Sequence, residues 1–88
     1  MTISPQSIQD CLLALVRDRG PDKTICPSEV ARALADTNWR QWMPQVRDVG
    51  TQLARAGKIA VTQKGKVVDP EHAKGPIRYR LIQTLEDQ

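Results

Sequence analysis

The chain has 88 residues, enough for one domain. A domain of this size buries roughly 60–65% of the surface its unfolded chain exposes, so it holds one small core and has no room for a second lobe or an enclosed large-substrate cleft. Hydrophobic content of 40% and charged content of 26% exclude wholesale disorder, and the longest apolar run, residues 11–16, falls far short of the roughly 18–20 residues that cross a bilayer.

The formal net charge is +3. Residues 1–44 carry five basic and five acidic side chains, so the whole excess lies in residues 45–88. Residues 55–80 alone hold seven basic and two acidic groups. Such asymmetry points to a polyanionic partner, most often nucleic acid. The plain alternative is a solvated hairpin kept soluble by its lysines. The opening stretch MTISPQSIQD has neither a basic region nor a small-residue cleavage site. No signal peptide is expected there, and the cytoplasm is the expected compartment.

In chain order, Ser4 and Pro5 open a helix as N-cap and first helical residue. Ile8, Cys11, Leu12, Leu15 and Val16 then form an amphipathic stripe. Arg17 and Arg19 suit its last turn, and Gly20 followed by Pro21 ends it, giving a first helix over 5–19. Residues 23–25 are a short β-prone piece. Pro27 fits the first helical position of a second helix over 27–35, with Glu29 placed to reach back to the cap. Its buried stripe is Val30, Ala31 and Leu34. Residues 36–38 are turn-rich, and Trp39 to Trp42 fit one helical turn. Pro44 sets a fresh start, and a third helix is predicted over 44–56 with Val46, Val49, Gly50 and Leu53 inward.

After Gly57 the hydrophobic period changes from 3.6 to about 2. Residues 58–63 alternate as a strand, with Ile59 and Val61 on one face. Residues 63–66 turn the chain, and Val67 and Val68 are extended. Asp69 with Pro70, and Gly75 with Pro76, break the chain again. Residues 77–81 alternate once more, with Ile77, Tyr79 and Leu81 facing one way. Residues 83–88 are expected to fray. The expected fold is therefore α+β, a single domain with an ordered core over about 5–82. Three helices and a small antiparallel β-sheet, with a basic connection between strands, is the arrangement of a winged helix-turn-helix.

The strings KTICPSEVARAL, WRQWMPQVRDVGTQLARAGKI, VTQKGKVVD and AKGPIRYRL resemble those of a family of small bacterial proteins without assigned function. The resemblance covers residues 8–82. Members of that family are regarded as winged-helix-like, so it implies that fold and brings no activity, cofactor or site residue with it. PSEVA also resembles the second helix of many helix-turn-helix regulators, a far commoner signal.

In a winged helix the third helix usually enters the major groove and the wing touches the backbone or minor groove. At 100° per residue, Arg47, Asp48, Thr51 and Arg55 point outward, with Gln45 and Gln52 on the flanks. Arg and Gln make bidentate contacts to guanine and adenine edges, although a solvated helix has the same composition and Asp48 repels phosphate. Lys64, Lys66, Lys74, Arg78 and Arg80 cluster around the wing, and Lys58 begins the strand leading to it. Arg78 and Arg80 share one strand face, where a row of cations can hold phosphates. The alternative is an edge strand guarded by charge. The candidate DNA contacts are thus Gln45, Arg47, Thr51, Gln52, Arg55, Lys58, Lys64, Lys66, Lys74, Arg78 and Arg80.

Other chemistries find less in the sequence. Aromatic residues make up only 3%, which disfavours base-stacking single-strand binders. Trp39 and Trp42 share a helical face and read as core or lid, or as an exposed contact for a homodimer or protein partner. Cys26 at a helix N-terminus suggests a redox sensor, or simply a small buried cysteine. With no leader expected, two cysteines are not expected to make a disulfide framework. His72 reads as a solvated loop residue, and a single histidine makes no Cys/His zinc set. No Ser/His/Asp set, phosphate-binding glycine loop or carboxylate pair is present, so no enzyme, cofactor or metal site is expected. The expected function is that of a small DNA-binding regulator or nucleoid-associated factor, with a protein-interaction adaptor of the same fold as the alternative.

Overall fold

The computed structural model describes residues 3–82, so the tail expected to fray lies outside the described residues. Helix α1 spans Pro5–Arg19. Ser4 and Ser7 cap it reciprocally: each hydroxyl accepts the other's backbone N–H, at 3.1 and 2.9 Å. Ile8, Leu12, Leu13 and Val16 are buried. Leu13 joins the core although the expected stripe omitted it, and Cys11 and Leu15 are left half-buried at its margin. The reason is that α1 packs on α2 (Pro27–Leu34), α3 (Met43–Arg55) and two strands together, which covers a stripe wider than one partner would.

Strand β1 is Thr24–Ile25. It leads into α2, where the Glu29 carboxylate accepts the Cys26 N–H at 2.8 Å, the reach-back expected of that position. The helix ends one residue before expected because Ala35 is extended, at φ −139° and ψ 148°. A 3₁₀ turn, Trp39–Trp42, joins it to α3. Pro44 sits in the first turn of α3, where no N–H is required, and Val46, Val49, Gly50 and Leu53 are all buried as their spacing predicts. Among the described residues, no helix is long and apolar enough to cross a membrane.

Strands β2 (Ile59–Gln63), β3 (Lys66–Val67) and β4 (Arg78–Leu81) complete an antiparallel four-stranded sheet in the order β1-β4-β2-β3. Lys64 and Gly65 have φ of 52° and 82°. Two consecutive positive φ values make a two-residue hairpin turn whose twist suits its flanking strands. β4 is paired on both sides: Tyr79 lies opposite Ile25 on β1 and Val61 on β2. The alternative of a charge-guarded edge strand is therefore excluded for this segment, whose strand Arg78–Leu81 is paired on both sides. The short β1 supplies a second neighbour, which strand periodicity cannot reveal. Lys58 precedes β2 rather than starting it.

Tyr79 has no exposed surface and lies beneath α3. A Cβ built on Gly50 would stand 2.4 Å from the tyrosine oxygen and 2.5 Å from Cζ. Glycine is thus the residue that lets this ring reach the helix backbone. Burial pushes the Tyr79 hydroxyl up to about 12, an effect only partly offset by the Arg47 guanidinium. The hydroxyl has no hydrogen-bond partner among the described residues.

Gly50→Ala is expected to destabilise the protein by about 1–3 kcal/mol through overpacking, read as a lowered urea midpoint. Burial raises the tyrosine pKa only in the folded state. Stability is therefore full below pH 10 and falls between pH 10 and about 12, where the unfolded chain ionises first. A loss of about 2–3 kcal/mol is expected across that window. Tyr79→Phe is expected to fold and to remove this component of the alkaline loss; an unchanged alkaline profile would contradict the assignment.

Candidate nucleic-acid interface

The eleven sequence-selected residues fall into three groups. Gln45, Arg47 and Gln52 are exposed on α3, and Thr51 is half-buried with its hydroxyl donating to the Arg47 carbonyl at 3.0 Å. Gln52 Nε2 donates to Asp48 at 3.2 Å, which ties one flank of this face to its own acid. The face is thus mixed: one free guanidinium, two amides and one carboxylate.

Arg55 ends α3, but its guanidinium is ion-paired with Glu71 from the loop between β3 and β4. Asp69 shapes that loop. Its Oδ1 accepts the Glu71 N–H at 2.9 Å, and its Oδ2 meets His72 Nδ1 at 2.7 Å. The hydrogen bond from Glu71 first, then that from His72, hold the Asp69 carboxyl below its ordinary range. The carboxylate in turn raises the His72 pKa. The sequence reading treated Arg55 as a free outward cation. The tertiary fold brings Glu71 against it across 16 positions of chain, a pairing that no local spacing signals.

The third group is on the sheet. Lys64 occupies the hairpin turn, Lys66 starts β3 and Lys74 lies in the following loop. Together with Arg78 they line one groove. Gln63 holds the loop in place, its Nε2 donating to the carbonyls of Lys74 and Pro76 at 2.6 and 3.1 Å. Arg78 is anchored from β1: its Nε donates to Thr24 Oγ1, its Nη1 to Cys26 Sγ at 2.8 Å, and its Nη2 to the Thr24 carbonyl at 3.3 Å. Lys58 and Arg80 do not line this groove, and Arg80 is half-buried instead of standing free beside Arg78.

Cys26 is half-buried at the cap of α2. Cys11 is half-buried too, and burial raises its thiol pKa. Trp39 and Trp42 pack half-buried against the core. Arg32 and Arg40 each lie over the Trp39 ring, 4.5 Å from its centre. These two arginines cover aromatic surface. Sequence reading paired neither of them with the tryptophan, although Arg40 adjoins it.

The profile of the family described as "Protein of unknown function (DUF3253)" matches residues 5–82. The chain belongs to this family. The matched residues run from the start of α1 to just past β4, so they include every described element and all eleven candidate contacts. No curated protein matches the sequence.

Removing the acid that neutralises Arg55 isolates its contribution. Glu71→Gln is expected to leave the urea midpoint unchanged, because both partners are exposed. It is expected to raise the salt concentration needed to elute the protein from heparin. Elution at the wild-type salt concentration would mean that Glu71 does not withhold Arg55 from polyanions.

Proposed function

We propose that this protein binds double-stranded DNA as a winged helix-turn-helix module, serving as a small regulator or nucleoid-associated factor. Helix α3 enters the major groove, and the hairpin and following loop lie on the phosphate backbone. The observation that carries this reading is the contact between Arg55 and Glu71, which joins the end of α3 to the loop bearing Lys74. It brings the last turn of α3 against the loop that carries Lys74 and follows the basic hairpin. The order of elements also supports it. Three helices precede the hairpin, and the last strand lies between the first and second.

Within this reading the two halves of the surface do different work. Arg47, Gln45 and Gln52 have the donors and acceptors that distinguish base edges. Lys64, Lys66 and Lys74 are point charges suited to phosphate, and such contacts bring salt dependence without sequence preference. Breaking the Arg55–Glu71 pair is the step that would add a further cation to the surface once phosphate competes for the guanidinium. A monomer this small offers a modest footprint, so a dimer on two half-sites would bind more tightly.

The adaptor reading has less in its favour. It requires an open aromatic surface at Trp39 and Trp42, and both rings are half-buried, one of them beneath two guanidinium groups.

Titration of labelled duplex at two salt concentrations tests the proposal. Affinity is expected to fall steeply with salt. The pair Lys64→Glu and Lys66→Glu is expected to weaken binding on every sequence, and Arg47→Ala to lower discrimination between sequences. Absence of binding at low salt would overturn the DNA reading.

A further inference from the structure

The groove beside the hairpin turn has a character of its own. Its volume is about 780 Å³, inside the range of small-molecule sites, roughly 300–1,000 Å³. It opens between Cys26, the β2–β3 hairpin and residues 74–78, and no residue of α3 lines it. Four of its lining side chains are cationic, and among the described residues no carboxylate lines it. None of Lys64, Lys66 and Lys74 belongs to an ion pair among the described residues. Glu29 acts on Arg78 but is held by Arg19 at 2.7 Å, and Asp69 meets His72 at 2.7 Å in an adjoining depression that shares Gln63, Val68 and Lys74 with the groove.

Concentrating like charges around a concavity is unfavourable unless an anion occupies it, and a concave, low-dielectric wall focuses their field. Arg78 is the fixed member of the set. A guanidinium has five N–H donors, and three are used on Thr24 and Cys26. The group is therefore held rigidly with two donors to spare. The three lysines are exposed, and their flexible four-carbon stems let the ammonium groups close on the same oxygens. Pro76 and the aliphatic Val68 and Ile77 complete the wall and give it an apolar portion. Rigid donors, mobile ammonium groups and an apolar wall together match an oligophosphate carrying an organic part.

We propose that this groove is an anion site that takes a phosphoryl-bearing ligand through Lys64, Lys66, Lys74 and Arg78. The shared chemistry is a run of adjacent phosphate oxygens. A free phosphorylated small molecule such as a nucleoside polyphosphate supplies it, and so does a nucleic-acid backbone. The site goes beyond the duplex reading, since it needs no contribution from α3.

The test is calorimetric titration of the full chain with sodium tripolyphosphate and with ATP at low ionic strength. One saturable site per chain is expected for both. The combined variant Lys64→Ala, Lys66→Ala and Lys74→Ala is expected to bind at least tenfold more weakly, while Arg47→Ala stays within twofold of wild type. The three lysines are exposed, so the variant is expected to keep the wild-type urea midpoint. Absence of a saturable site, or wild-type affinity in the lysine variant, overturns the proposal. Competition by duplex then separates the sources: displacement of tripolyphosphate assigns the groove to the backbone, and simultaneous binding assigns it to a free ligand. A protein that binds tripolyphosphate but no duplex keeps the groove and loses the DNA reading. One that binds duplex through Arg47 but no tripolyphosphate does the reverse.

Discussion

The Tyr79 ring beneath Gly50 is the contact on which the molecule is organised. Strand β4 lies between β1 and β2, so its one fully buried large side chain, Tyr79, must be accommodated by whatever covers the sheet. That cover is α3 at its one glycine, where the helix backbone admits the ring at less than side-chain distance. Two consequences follow from strand alternation. With Tyr79 inward, Arg78 and Arg80 face the other way. With Tyr79 opposite Ile25, Arg78 stands within reach of Thr24 and Cys26. A single core contact thereby sets both the angle of α3 on the sheet and the anchored position of the guanidinium in the basic groove.

Electrostatics divide the remaining cations by what the fold brings near them. Asp48 and Glu71 temper the face of α3, the one beside it and the other from a loop. Arg32 and Arg40 are directed to an aromatic ring. Lys64, Lys66 and Lys74 form no ion pair among the described residues, while Gln63 holds the loop by its backbone carbonyls and Asp69 and Glu71 engage His72 and Arg55. The basic character of the second half is thus not spread evenly. Three cations that form no ion pair among the described residues, Lys64, Lys66 and Lys74, are grouped at one end of the sheet, while on α3 Arg55 is paired with Glu71 and Arg47 adjoins Asp48.

Much of the fold was legible because its signals are local. Ser4 and Pro5, Glu29 after Pro27, and Pro44 each mark a helix start through hydrogen bonds or φ restriction within three residues. The change of period after Gly57 marks the sheet in the same way. The inward set of α3 was read without error, since 3.6-residue spacing is enforced by the helix itself. Leu13 was missed because its burial depends on how many neighbours crowd α1. The interior position of β4 was missed because pairing with β1 joins residues more than fifty positions apart, and no turn dictates it.

For the candidate site the division is the same. Sequence by itself determined which side chains are cationic, that they crowd into residues 55–80, and that Arg78 alternates with the core residues Ile77 and Tyr79. It determined the hairpin turn as well, since Lys64 and Gly65 lie where alternation must reverse. Only the tertiary structure decided which of those charges remain free. Arg55 is neutralised, Arg78 is anchored, Arg80 is half-buried, and three lysines converge on one concavity. The physical reason is range: propensity and periodicity act over a few residues, whereas the neutralisation of a charge depends on whatever distant segment folds against it.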